Sequence, residues 1–204
     1  MKNLNTITKV LGATFVLAAC STASAATVTS TASVTVSNVI TLTEDAALTF
    51  GSVRATADVT ANAAALTLDA ATGVLTSGTA IGTVANAAIS SLSVGNAGSY
   101  TVSDAANFSP INLTLPADDV VYLTATGVPS TNPRFAVNGF KATVFGGTND
   151  GADAETNTNL VTDNTGAVSF NVGATLYTDI RTTGIVETYI DEDYSGAYAI
   201  VVTY

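Results

Sequence analysis

Histidine and tryptophan are missing from the chain altogether, and cysteine and methionine occur once each. Charge is scarce too: 11% of the 204 residues carry any, and acids outnumber bases 16 to 6. Each absence closes a route to function. Without histidine there is no imidazole base for Ser-His or Cys-His catalysis, and the commonest transition-metal ligand is gone. The one cysteine, Cys20, sits in the N-terminal segment, so the remainder of the chain has neither a thiol nucleophile nor a disulfide. Ser and Thr are abundant, yet a hydroxyl nucleophile needs an activating base, and no Ser-x-x-Lys pattern occurs. Glycine signatures of the Rossmann and P-loop type are absent as well. These gaps argue against an enzyme. The acidic balance argues against nucleic acid, because a negative surface repels a phosphate backbone.

What is present begins with an export signal. Lys2 and Lys9 precede the apolar run from Val10 to Ala19, and Ala23-Ser24-Ala25 fits the small-residue cleavage rule. A bilayer span needs about 20 apolar residues, so this run is too short to cross. No later stretch reads as a transmembrane segment. Two processing readings stand. Cleavage after Ala25 leaves residues 26–204. Alternatively, Leu17-Ala18-Ala19-Cys20 matches a lipobox, which would make the product an outer-membrane lipoprotein anchored through Cys20. Both predict export through the periplasm to the bacterial surface. Cleavage after Ala25 leaves Arg54, Arg134, Lys141 and Arg181 as the only bases and moves the net charge from −10 to −12.

The hydrophobic period is two rather than 3.6, which is the strand period. Between Val28 and Leu42 the even positions read Val, Ser, Ala, Val, Val, Asn, Ile, Leu, and the odd ones are Thr or Ser except Val39. This predicts one long half-buried strand or two consecutive ones, spanning about 50 Å at about 3.3 Å per residue. Further strands are expected at 47–53, 64–69, 73–76, 89–94, 99–103, 111–115, 120–125, 133–145, 167–178 and 196–204. Turn residues such as Gly95-Asn96-Ala97-Gly98 and Pro116-Ala117-Asp118-Asp119 separate them. The pattern predicts an all-β chain, an antiparallel immunoglobulin-like or pilin-like β-sandwich of about ten strands. The expected organisation is a signal peptide at 1–25, an N-terminal strand and candidate donor strand at 26–42, and one sandwich domain at 43–204. Phe50, Leu113, Leu123, Phe170, Val172, Leu176, Tyr198, Ile200 and Val202 are the expected core, with the strands of Phe170 and Tyr198 both central.

Residues 146–166 lack strand pattern and are rich in Gly, Asn, Asp and Thr. A loop of that length in a compact domain is functional, unstructured, or hides a short strand. Asp150, Asp153 and Glu155 place oxygen ligands there for a weak Ca²⁺ site, although the spacing is not that of an EF-hand, and a solvated acidic loop is the favoured account of them. The run Asp191-Glu192-Asp193 reads as a polar turn. Asp118 with Asp119, or Glu187 with Asp191, supplies the two carboxylates a glycosidase needs, but nothing places either pair in a cleft. Tyr189, Tyr194, Tyr198 and Tyr204 crowd the C-terminus, either as a sugar-binding face or as cross-strand packing. Apart from the weak Ca²⁺ candidate, no cofactor is expected.

Several segments together resemble a known pattern. Ile40-Thr41-Leu42 followed by Leu48-Thr49-Phe50-Gly51 resembles an opening Leu-x-Phe-Gly signature. Gly98 to Val102 and Ile111 to Pro116 resemble its middle. Val172-Gly173-Ala174-Thr175-Leu176 and the Gly196-x-Tyr198…Tyr204 ending resemble its close. The chain is thus similar to a family of secreted bacterial all-β domains of unknown function, regarded as pilin-like or surface-associated. The resemblance implies no catalytic residues. It also brings in chaperone–usher pilins, which accept an N-terminal strand from the next subunit. What it implies is a secreted structural subunit that self-associates into fibres, with a periplasmic chaperone and an outer-membrane usher as partners; the alternative expectation is a cell-surface adhesin or glycan-binding module, lipid-anchored if Cys20 is acylated. Val28, Ala32, Val34 and Val36 would be the groove-filling side chains of the arm. The chain departs from that family in the insertions at 61–88 and 146–166, and from those pilins in lacking their disulfide and in the positions of its C-terminal glycine and tyrosine.

Overall fold

A computed structural model describes residues 31–34, 39–60, 62–82, 86–119, 121–156, 158–181 and 183–204. The chain divides into two units, 1–36 and 37–204. In the first unit, the described residues Thr31 to Val34 form no regular structure. The expected positions Cys20, Ala25, Val28 and Val36 lie outside the described residues.

The second unit is all-β, and every strand pairing in it is antiparallel. Its twelve strands are β1 (Thr41–Ala46), β2 (Val53–Thr56), β3 (Ala65–Leu68), β4 (Leu75–Ser77), β5 (Ala88–Ser91) and β6 (Gly98–Ser103), then β7 (Asn112–Thr114), β8 (Val121–Ala125), β9 (Phe135–Phe145), β10 (Val168–Tyr177), β11 (Tyr194–Ser195) and β12 (Val201–Thr203). The main sheet runs β1-β6-β10-β9-β8-β11, with β3 also on β10 and β4 on β3. Two small sheets, β12-β7 and β2-β5, complete the unit.

β10 is the axis. Phe170, Val172, Ala174 and Leu176 alternate inward and are essentially inaccessible to solvent. β6 alternates in the same way: Tyr100 and Val102 are buried, while Ser99, Thr101 and Ser103 are only half-buried. One edge of β10 pairs with β9 along its length. The other edge is shared, by β6 up to Val172 and by β3 from Ala174. Gly173 sits at that change of partner. A Cβ there would lie 2.2 Å from the Leu68 carbonyl oxygen and 2.6 Å from the Ala70 nitrogen, so only glycine admits the approach. Opposite Ala174, β9 carries two residues, Gly139 and Phe140, against one. This is a bulge with Gly139 at φ +60°.

Four expectations are corrected. The long strand from Val28 forms strand only from Thr41 among the described residues. The expected strand at 47–53 is a bend that makes one isolated bridge, Thr49 to Asn96, because Gly51 turns the chain at φ +66° against the Val94 carbonyl. The Tyr198 segment is not central: residues 196–200 form no strand, and β12 pairs only with β7. Leu113, Leu123, Tyr198, Ile200 and Val202 accordingly pack against the core half-buried. Phe50, Phe170, Val172 and Leu176 are buried as expected.

The stretch 146–166 is tied down rather than loose. Gly151 to Ala154 return beside β9 through Val144 N–H to Ala152 O, Gly151 N–H to Val144 O and Ala154 N–H to Ala142 O, at 2.8–3.0 Å. Ala154 and Leu160 are fully buried beneath it. These two side chains anchor a segment whose polar composition hides its pairing.

Candidate functional site

A cleft of about 980 Å³ lies above the face of β8, β9 and β10. Val121, Leu123, Val137 and Leu176 form its floor, and the bend 48–55 and the segment 189–198 form its walls. One lip carries Arg54 and the other Asp191, Glu192 and Asp193, all four exposed.

Aromatic packing builds the second wall. Tyr189 stacks on Phe135 at 4.3 Å between ring centres, and Tyr194 meets both rings edge-on at 5.1 and 5.7 Å. Tyr198 tilts over Phe140 at 5.3 Å, and its hydroxyl meets that of Tyr100 at 2.5 Å. Tyr100 in turn stacks on Phe170. The hydroxyls are already committed. Tyr189 accepts from the Asp179 N–H and donates to the Arg134 carbonyl, and Tyr194 faces the Ile190 carbonyl. Burial pushes the hydroxyls of Tyr189 and Tyr100 far up, so both stay protonated. Tyr204 is separate and accepts from the Ala106 N–H. Tyr189, Tyr194 and Tyr198 are therefore packing residues, half-buried in the cleft wall; this is the cross-strand alternative for aromatic spacing of that kind.

Two buried carboxylates, missed in the sequence, hold the surrounding turns. Asp179 accepts from the backbone N–H groups of Arg134 and Arg181 and is clamped by the Arg181 guanidinium at 2.6–3.1 Å. Burial opposes its ionisation, and the Arg181 bonds outweigh burial, leaving the carboxyl below the usual carboxylate range. The same guanidinium donates to the carbonyls of Ser130 and Asn132, so one ion pair fixes two chain segments to the head of β9. Asp58 closes the 58–62 turn by accepting from Thr60 and Asn62, and the Thr60 hydroxyl is the largest cause of its lowered pKa. Saturated with donors, both acids stay ionised near neutral pH, which suits an anchor and not a proton donor. Only the loop spacing Asp58-x-Thr60, an Asx-turn pattern, could have signalled either of them.

The carboxylates singled out from the sequence do not converge. Asp150 accepts from the Gly146 N–H, Asp153 from the Glu155 N–H, and Glu155 pairs with Lys141 at 3.4 Å. No group of three or more carboxylates is placed to hold a metal ion among the described residues. Asp118 accepts from the Gly139 N–H and Asp119 from the Asn138 amide, so this pair braces the β9 bulge. Glu187 and Asp191 are exposed; Asp191 is on the cleft lip and Glu187 is not among the cleft residues. No described helix is long and apolar enough to cross a membrane.

No protein-family model, curated protein or solved structure matches the chain.

Proposed function

We propose that the chain is a secreted structural subunit of a bacterial surface fibre, pilus or biofilm matrix, and that the arm at 26–36 joins one copy to the next by β-strand complementation. The observation that supports this reading is the cleft. Its floor is made of apolar side chains from three adjacent strands, and its volume is left open by the domain's own segments. The arm has the matching chemistry. Val28, Ala32, Val34 and Val36 fall on one face, and no charged residue occurs between Ala26 and Thr43. An extended segment of that kind fills apolar space with alternate side chains and supplies backbone donors and acceptors. Addition of this kind repeats head to tail, so the product is an open fibre and not a closed ring. A periplasmic chaperone and an outer-membrane usher are the partners such a route would use.

The test is electron microscopy of the wild type and of Val34→Asp with Val36→Asp, with circular dichroism to establish folding. Fibres from the wild type alone carry the reading. Wild type that stays monomeric at high concentration alongside its secretion partners, or unchanged fibres in the double variant, refutes it. Intact mass of the exported protein reads the processing: a product starting at Ala26 frees the arm, whereas an acylated product starting at Cys20 ties it to the membrane.

A further inference from the structure

At the end of the sheet that carries Phe145 lies a second groove, of about 650 Å³, which the assembly reading does not use. Two phenylalanines line it, and both are displayed: Phe108 is 71% exposed and Phe145 59% exposed. Isolated exposed apolar residues are ordinary; two of the largest on one groove are not.

Phe108 is held in place against its own backbone preference. Its φ is +53°, a region that bulky L-residues avoid and that glycine or asparagine occupies readily. The loop enforces this conformation. The Phe108 N–H donates to the Asp163 carbonyl, the Ser109 N–H donates to the Thr162 hydroxyl, and that hydroxyl donates back to the Ala106 carbonyl. The result is a rigid loop that spends strain to hold an aromatic ring in water, where it stabilises nothing in the fold.

Between the two rings the lining is amide and hydroxyl. Asn149 and Asn159 use their NH₂ groups on the carbonyls of Asn159 and Asp153, and the Oδ1 of each has no partner among the described residues. Neither the Asn164 amide nor the Thr148 hydroxyl has a partner among the described residues. Asp163 is the one charged residue of the lining; its Oδ1 accepts from the Thr165 N–H and hydroxyl and from the Ala167 N–H. No base lines the groove. Backbone is not on offer either. β9 is paired there with β10 on one side and with residues 151–154 on the other, and the start of β10 lies between β9 and β6. A peptide therefore finds no strand edge to extend.

From this we infer that the groove binds a neutral oligosaccharide. The C–H face of a pyranose packs on an exposed aromatic ring, and its hydroxyls match uncharged amide and hydroxyl partners. The volume lies within the roughly 300–1,000 Å³ of small-ligand sites. The absence of bases in the lining and the acidity of the whole chain disfavour sulfated or uronic sugars. This inference stands whether or not the chain forms fibres, and it would make a structural subunit adhesive.

Isothermal titration calorimetry on the purified protein tests it, with maltohexaose, cellohexaose and laminarihexaose as neutral probes. A heparin-derived hexasaccharide and a synthetic peptide of residues 26–36 serve as the charged and peptidic probes. At least one neutral hexaose should bind. Phe108→Asn, which accepts the left-handed backbone, should weaken that binding about tenfold or more while leaving the melting temperature unchanged or higher. Phe145→Ser should weaken it likewise. Absence of binding by every neutral probe at millimolar concentration overturns the inference. So does binding that survives both variants, equal or tighter binding of the heparin fragment, or capture of the peptide alone.

Discussion

Gly173→Ala isolates the contact on which the main sheet turns. Gly173 has ordinary strand backbone, so the substitution asks nothing unusual of φ. Space decides the outcome. The new methyl would sit 2.2 Å from the Leu68 oxygen, 2.6 Å from the Ala70 nitrogen and 3.0 Å from the Ala70 Cα, all backbone atoms that cannot rotate away. β3 must move off β10, loosening the four-residue ladder from Ala174 to Tyr177. Overpacking that displaces backbone costs about 1–3 kcal/mol, and removing glycine from the unfolded chain returns about 0.4–1 kcal/mol. With three backbone collisions the overpacking lies toward the top of that range, so a net loss of about 1.5–2.5 kcal/mol is expected, or a fall in melting temperature of roughly 3–10 °C for a domain of this size. Gly127→Ala is the control. Nothing lies within 4 Å of its added methyl, but its φ is +77°, so only the backbone penalty of about 1–2 kcal/mol applies, less the same entropic return. Urea unfolding followed by circular dichroism measures both. A loss below about 1 kcal/mol at Gly173, or a larger loss at Gly127, refutes the close approach as the organiser of the sheet.

Phe170→Ala should cost about 3–5 kcal/mol, because the ring is fully buried and stacked on Tyr100; a loss below about 1 kcal/mol in the same assay would show the core to be elsewhere. Asp179→Asn strands a partly buried guanidinium and should cost about 2–4 kcal/mol. A carboxyl with a folded pKa below its unfolded value adds stability above about pH 4 and loses it as pH falls through the folded value, so wild type should weaken in acid and Asp179→Asn should show a shallower acid limb. The tyrosines shift the opposite way: Tyr100, Tyr189 and Tyr198 resist ionisation when folded, so stability should be retained below about pH 10 and lost above it, read by tyrosine absorbance against circular dichroism. β1 pairs only with β6 among the described residues and carries Glu44 and a bulge at Asp45, so Glu44→Thr with Asp45→Thr should increase light scattering with little change in stability; unchanged scattering would mean that the edge is guarded by something else.

The fold was legible wherever period-two patterning coincided with β-branched and aromatic residues. β6, β8, β9 and β10 fall within one or two residues of their expected bounds because one face of each is apolar and the core selects it. The reading failed where alternation continued without a partner. Val28 to Ile40 alternates as cleanly as β6, but among its described residues no neighbouring strand completes it, and pairing is not encoded in the period. It failed in the opposite sense at 151–154. There, Gly, Ala and Asp offer no strand signal, and the segment is held by backbone bonds to β9 and by the buried Ala154. β11, two residues long, is too short for any period to mark.

Site residues were less legible, for a different reason. Sequence spacing finds groups that act together on one element, and here the groups that meet come from distant elements. The clustering of the C-terminal tyrosines in sequence leaves a sugar-binding face and cross-strand packing both open; in the fold, Phe135 and Phe140 of β9 pack on their rings and Tyr100 of β6 occupies the Tyr198 hydroxyl. The acidic run at 150–155 looked like a ligand set because its carboxylates are close in number, yet each turns to a different local partner. Phe108 carries no signal of its own in the sequence. Its significance rests on a positive φ and on a groove that Phe145, 37 positions later, completes across the fold. Asp179 and Arg181 were closer to view, two residues apart at the end of the central strand. What the sequence does not carry is that the carbonyls of Ser130 and Asn132 wait beside them, and those carbonyls turn a solvent-screened pair into the clamp that sets the cleft's aromatic wall.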